Sequence, residues 1–318
     1  MIPLATIEAA RSAISPHVNT TPVDESRSIG AELGVPVSLK LELFQRTGSF
    51  KPRGAINQVL ALPDERVAVG VVGMSGGNFA QGLAYAARAL GLRARVIMPA
   101  DTPSNYVDAT RGYGAEVELV GSVAAGFERA EEHAGEGWAV AHPFDHPAMQ
   151  AGNGTVGLEI VEQVPDVTDL FVSVGGGGLI TGVASAVLAL KPQVNIWAVE
   201  TEGADALARA VAAGHVVEIV PSSIAKTLCS PYAAQAAIEL ARERLRDVLV
   251  VPDAAAVSAM RFLFERAKLA TEPAAACTLA AARQVRDLLD PNGRTVLLMC
   301  GGNVSASDFA RWMIEPLT

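Results

Sequence analysis

The sequence predicts an α/β protein whose mostly parallel sheets are covered by helices on both faces. Short apolar runs that read as strands alternate with helical stretches along most of the chain. Those runs are apolar at consecutive positions, not every second one, as strands buried on both faces are. Aromatics make up only 5% of a chain rich in Ala, Val, Leu and Gly, which suits helix-on-sheet layers better than a β-sandwich. With 318 residues and a hydrophobic content of 50%, the chain can bury a large core as one big domain or two modest ones.

Taken in order, "LELF" (41–44) alternates as a strand does and "QRTGSF" breaks the alternation. "KPRGAINQVL" (51–60) then resumes with helical spacing, Pro52 fixing the backbone at its start. Next come the strand "VAVGVVGM" (67–74), the turn "SGGN" and the helix 79–91. A strand at 93–99, a helix at 104–114, a strand at 115–120, a helix at 122–135 and the strand "GWAVAHP" (137–143) follow. The chain continues with a helix within 146–164, the strand "DLFVSV" (169–174), a helix after "GGGG" and the strand "VNIWAVE" (194–200). It ends with "DVLVVP" (247–252), one long helical run over 253–289 and the strand "RTVLLMC" (294–300). Residues Val67 to about Phe144 hold a compact set of βα steps that can form its own small sheet. Two domains are therefore expected: a large one from 1–67 and 145–318, and a small mobile one from 68–144.

A net charge of −9 argues against nucleic-acid or anionic-membrane partners, which require a basic face. No apolar run reaches membrane-spanning length, and the N-terminus lacks the basic start and apolar stretch of a signal peptide. Cys229, Cys277 and Cys300 are an odd number without CxxC spacing, so neither a disulfide framework nor a zinc site is expected. A reduced, cytoplasmic protein is the expectation.

Ligands of open α/β sheets sit beyond the carboxyl ends of strands, and four such ends carry unusual chemistry. "SVGGGGLITG" (173–182) follows a strand and opens a helix, so its backbone N–H groups can converge on an anion. Its spacing is neither GxGxxG nor a Walker loop. Glu200 ends the next strand, about the twenty-odd residues on at which a ribose-binding acid is expected, so a dinucleotide reading stays open. "MSGGNFAQ" (74–81) sets Ser75, Gly76 and Asn78 at a helix start, suited to a carboxylate or phenolic oxygen, or to an ordinary cap. "CGGN" (300–303) brings a thiol to the same rim, although buried cysteine is more often a small hydrophobe.

The fourth end is "TGSFK". Of the five lysines, Lys40, Lys191 and Lys268 read as solvated, and Lys226 lies on a loop. Only Lys51 stands at a strand-to-helix turn. A partly desolvated ε-amine is nucleophilic toward an aldehyde, and a lysine paired with a phosphate cradle is what pyridoxal phosphate requires.

"LELFQRTGSFKPRGA", "SGGNFAQGLAYAA", "AHPFDHP", "AGNGTVGLEI", "SVGGGGLITG", "KLATEPAAA" and "MCGGN" occur in the order found in serine/threonine dehydratases. From about Thr20 to Asn303 the chain resembles these threonine ammonia-lyase-like enzymes, related to serine racemase. The resemblance implies the type II pyridoxal phosphate (tryptophan synthase β-like) fold and a carbon–oxygen lyase. Such an enzyme removes water, then ammonia, from a β-hydroxy amino acid such as L-threonine or L-serine to give a 2-oxo acid. By the same resemblance Lys51 carries the cofactor as a Schiff base, Phe50 packs beside it, and Asn78 bonds the pyridine's phenolic oxygen. The amides of Gly175, Gly176, Gly177, Gly178 and Leu179 hold the phosphate, and Cys300 approaches the ring nitrogen. Ser75, Gly76 and Asn78 receive the substrate carboxylate, and a homodimer is implied. A nicotinamide-dependent oxidoreductase would use Glu200 but leave Lys51 and the Cys300 loop without a task. An amino-acid-binding protein would not need the intact lysine and asparagine motifs.

The chain departs from the family pattern in three places. Gly76 stands where racemases place an acid/base serine, so racemisation is expected to be weak. Glu200 and the Ala204 carbonyl match a divalent-cation site, but Ala206 replaces its aspartate, and a lone carboxylate is a poor Mg²⁺ or Ca²⁺ ligand set. "AKT" (225–227) replaces the usual "ADG". Lys226 then either stands in solvent or helps select an acidic substrate such as 3-hydroxyaspartate, and Thr227 reshapes the pocket. His142 and His146 in "AHPFDHP" read as part of an interdomain hinge with backbone-fixing prolines. The few residues after "MCGGN" lead us to expect no appended regulatory domain.

Overall fold

Ten strands form two sheets in the computed structural model, which describes residues 1–315 and Leu317. The larger sheet contains β1 (Val23–Glu25), β2 (Val37–Leu41), β7 (Val167–Ser173), β8 (Asn195–Thr201), β9 (Asp247–Val251) and β10 (Arg294–Met299). Its order is β1-β2-β10-β7-β8-β9, parallel throughout except for the short antiparallel edge strand β1. The smaller sheet contains β3 (Val71–Met74), β4 (Ala94–Pro99), β5 (Glu116–Val120) and β6 (Ala139–Val140) in the parallel order β5-β4-β3-β6. Parallel strands need crossover helices, which cover both faces and explain the unbroken apolar runs. Among the described residues no helix is long and apolar enough to cross a membrane.

The helix Lys51–Leu60 meets Pro147–Gln163, which in turn crosses Gly178–Leu190, at backbone contact. A Cβ on Gly152 would lie 2.4 Å from the Arg53 carbonyl oxygen, and one on Gly182 would lie 2.1 Å from that of Gln150. Only glycine admits such an approach. Ile56 and Val59 of the first helix join Phe79, Leu83 and Val96 in the core of the smaller sheet.

Beside this crossing lies a buried, charge-balanced cluster. Arg53 grips Glu42 through Nε and Nη2, each at 2.8 Å, and Glu159 through Nη1 at 2.7 Å and Nη2 at 3.0 Å. Lys40 donates to Glu159 at 2.5 Å and to Thr21 O and Gln163 Oε1, each at 2.8 Å. Lys40 is therefore not solvated, contrary to the expectation from its alternating run; it is 0% exposed. Its strand is covered on both faces, so every side chain of β2 is buried.

Other element boundaries differ for local reasons. The third strand begins at Val71, not Val67, because Asp64–Val67 is a helical turn. "GWAVAHP" pairs only at Ala139–Val140. The strand read at "LELF" ends at Leu41 and gives way to the 3₁₀ turn Glu42–Phe44. The long helical run is broken: Asp253–Phe262 passes into the π turn Leu263–Ala267, Lys268 takes a left-handed φ of 60°, and the helix restarts at Pro273. Proline suits a first helical turn because it has no N–H to leave unpaired.

Removing one partner of a buried ion pair strands the others. Arg53→Ala is expected to lower unfolding free energy by about 3–5 kcal/mol, whereas Arg11→Ala, which breaks the exposed Arg11–Glu162 pair, costs below about 1 kcal/mol. Denaturant midpoints of the two variants check this.

Candidate active site

A cleft of about 370 Å³ opens at the carboxyl ends of β3, β7 and β10, and Lys51, Asn78, the glycine loop, Glu272 and Cys300 all line it. Lys51 is the first residue of its helix and Pro52 holds the first turn. Its Nζ donates to the Pro143 carbonyl at 2.8 Å and lies 5.2 Å and 5.7 Å from the ring centres of Phe50 and Phe79. Burial pulls the ammonium down to about 8, against the raising influence of Cys300 and Glu272. A substantial neutral fraction at physiological pH follows.

Across the cleft, Gly177 caps the helix Gly178–Leu190 with a φ of 92°. A Cβ on Gly176 would fall 2.2 Å from the Phe144 ring, so Phe144 forms the floor against which the loop lies. The N–H groups of Gly175, Gly176 and Gly177 have no acceptor among the described residues, although Gly176 and Gly177 are buried. Unpaired N–H groups ahead of a helix suit an anion, and the loop is a candidate anion cradle.

The Asn78 amide is buried, donating to Glu272 Oε1 at 2.8 Å and accepting from Asn303 Nδ2 at 2.8 Å. Cys300 is buried, and burial, reinforced by Glu272, pushes its thiol well above the ordinary range; it is neutral. Ser75 and Gly76 line the mouth, Ser75 Oγ accepting the Gly77 N–H at 3.1 Å. A Cβ on Gly76 would sit 2.8 Å from Thr102 Oγ1. Lys226 is exposed and Thr227 half-buried on the opposite wall.

His142 and His146 act locally. His142 Nδ1 accepts the Asp145 N–H at 2.9 Å and His146 Nδ1 that of Ala148 at 3.2 Å. Burial lowers both imidazoles, His142 to about 4, so they stand as neutral acceptors. Glu200 lies elsewhere: its two oxygens each accept a backbone N–H at 2.8 Å, from Leu207 and Ala208, capping the helix Ala206–Ala213. Burial raises it to about 8. It has no neighbouring carboxylate at Ala206, and no cluster of three metal-ligating side chains exists among the described residues.

Glu272 and Asn303 were not among the expected site residues. They lie within "KLATEPAAA" and "MCGGN", and an acid beside Pro273 in an alanine-rich run is the signal that could have marked Glu272. Pro143 could not have been found, because it contributes only a carbonyl.

An orphaned set of buried amides faces a desolvated amine, with a neutral thiol and an amide donor beside them. These residues fit an aldehyde-bearing, phosphate-bearing aromatic ring. Residues 14–301 match the family described as "Pyridoxal-phosphate dependent enzyme"; the chain belongs to that family and its cofactor is pyridoxal phosphate. It is 38% identical to an L-threonine ammonia-lyase of Geobacter sulfurreducens, over 96% of this chain and 76% of that one. It is 39% identical to a phenylserine dehydratase of Ralstonia pickettii, over 97% and 95%. Its fold matches a structure of maize serine racemase with a TM-score of 0.90 at 35% identity, covering 98% and 97% of the two chains.

An amine titrating near 8 attacks an aldehyde only when neutral. Reconstitution of the cofactor-free protein is therefore expected to speed up as pH rises and to level off above about 8, followed by the growth of visible absorbance. A rate independent of pH would contradict the burial argument.

Proposed function

We propose that the enzyme removes water, then ammonia, from L-threonine or L-serine, with Lys51 as its proton-transfer residue. The observation that carries this is the desolvated, partly neutral Lys51 amine, set across the cleft from unpaired glycine amides. Pyridoxal phosphate, when bound, supplies an electron sink for the pair left at Cα. Lys51 Nζ takes the Cα proton and is the cofactor's attachment point. The amides of Gly175–Gly178 and Leu179 would hold its phosphate, Phe50 would pack beside the ring, and Asn78 would donate to the phenolic oxygen. Ser75, Gly76 and Asn78 receive the substrate carboxylate at their helix mouth. Cys300, a neutral thiol, does not keep a ring nitrogen protonated as a carboxylate would. That favours prompt loss of the β-hydroxyl over prolonged carbanion chemistry. Departure of hydroxide plus the Cα proton amounts to water, and hydrolysis of the released enamine gives the 2-oxo acid and ammonia.

Gly76 offers no proton where a second acid would stand, and Thr102 occupies the space a side chain there would need. Positioned acid–base groups contribute about 10²–10⁴-fold, so D-serine formation is expected to run at least about 100-fold below elimination. Comparable rates would overturn this. Lys226 at the mouth supports a second reading, an acidic β-hydroxy substrate. The apolar wall formed by Met74, Val123 and Phe127 would suit an aromatic one. A 2-oxo acid assay of threonine, serine, 3-hydroxyaspartate and phenylserine ranks them: threonine or serine should lead, and a strong preference for either other compound would replace them.

We also assign residues 1–67 and 145–318 to a cofactor-holding domain and 68–144 to a mobile one, supported by the separate sheets. A cytoplasmic homodimer is the companion reading, supported by three free cysteines and by family membership.

A further inference from the structure

We propose that Glu272 and Asn303 are positioning residues that lock the amide of Asn78 in a single orientation, leaving one of its N–H groups for the cofactor. This rests on the assignment of Lys51 and Asn78 above. A carboxamide is nearly symmetric in shape, so only its neighbours decide which end is oxygen and which is nitrogen. Here both ends are read. Glu272 Oε1 accepts from Asn78 Nδ2 at 2.8 Å, and Asn303 Nδ2 donates to Asn78 Oδ1 at 2.8 Å. Nδ2 carries two protons, and Glu272 engages one.

Both neighbours are themselves held. The Asn303 amide also donates to the Thr47 carbonyl at 2.8 Å, and the Asn303 carbonyl accepts the Tyr106 hydroxyl from the helix Ser104–Gly112. Gly48 lies so close that a Cβ there would be 2.7 Å from Asn303 Oδ1. Glu272 donates its own N–H to the Gly301 carbonyl at 3.3 Å, and a Cβ on Gly301 would come within 2.6 Å of Glu272 Oε1. The two glycines of "MCGGN" and "RTG" make room for this polar chain.

Glu272 is 2% exposed, lines the cleft, and its Oε2 has no partner among the described residues. Burial raises its carboxyl to about 7, opposed first by the Asn78 hydrogen bond. The titratable groups facing it are Lys51 on one helix, Tyr106 on a second, Cys277 on a third and Cys300 after β10; burial holds the phenol and both thiols neutral. Glu272 therefore gains or loses its proton in the working range, and Asn78 relays that change to the phenolic oxygen.

The test follows the visible absorbance of the holoenzyme against pH, together with the dissociation constant of pyridoxal phosphate. Glu272→Gln keeps an acceptor for Asn78 but cannot titrate. It should keep the band and lose the part of its pH response that falls between roughly pH 6 and 8. Glu272→Ala and Asn303→Ala free the amide to turn and should weaken cofactor binding about tenfold or more. A Glu272→Gln protein that titrates like the parent overturns the proposal, as do alanine variants with unchanged affinity. Lys51→Ala separates the two readings. If it lacks the band while the Glu272 and Asn303 variants behave like the parent, only this proposal fails; if it keeps the band, the assignment of Lys51 fails.

Discussion

Four buried charges, Lys40, Glu42, Arg53 and Glu159, fix where Lys51 stands. Burying two cations and two anions costs heavily unless every donor and acceptor is met. Here Arg53 makes four bonds to the two glutamates while Thr21, Thr155, Gln163 and Asn19 take up other bonding positions. Such a cluster is a poor source of net stability but a strict template, because any shift of register leaves a charge unmatched. It ties the helix that begins at Lys51 to the end of β2 and to Pro147–Gln163. The glycine-lined crossing then places the helix Gly178–Leu190, and with it the anion cradle.

Burial also sets the chemistry. It makes the Lys51 amine and the Glu272 carboxyl partly neutral and the Cys300 thiol fully neutral. A cleft with few full charges on its own walls reserves its strongest electrostatics for backbone amides aimed at an anion. In the proposed reaction a proton is held where one must move, at Lys51 Nζ, and none is offered where it would divert the reaction, at Gly76.

Much of this was legible in the residues. The alternation of apolar runs with helical stretches specified parallel, doubly covered sheets. "GSFKPRGA" and "SVGGGG" singled out a lysine and a glycine loop that the structure brings to one cleft, because glycine and proline shape local backbone in ways that show in a sequence. What escaped depends on distance in space. Lys40 looked solvated because alternation cannot reveal that Glu159, more than a hundred residues away, covers it. The break at Lys268 was hidden because alanine-rich helical segments lie on either side of it. Glu272 had only its place beside Pro273 to mark it and Asn303 had no local sign, because their hydrogen bonds to Asn78 exist only in space.

The site's proposed chemistry depends on where the aldehyde is joined to the chain. Borohydride reduction of the purified holoprotein, followed by proteolysis and peptide mass spectrometry, answers this directly. A single pyridoxyl adduct on Lys51 is the predicted result. An adduct on Lys226 or another lysine, or no adduct at all, would contradict it.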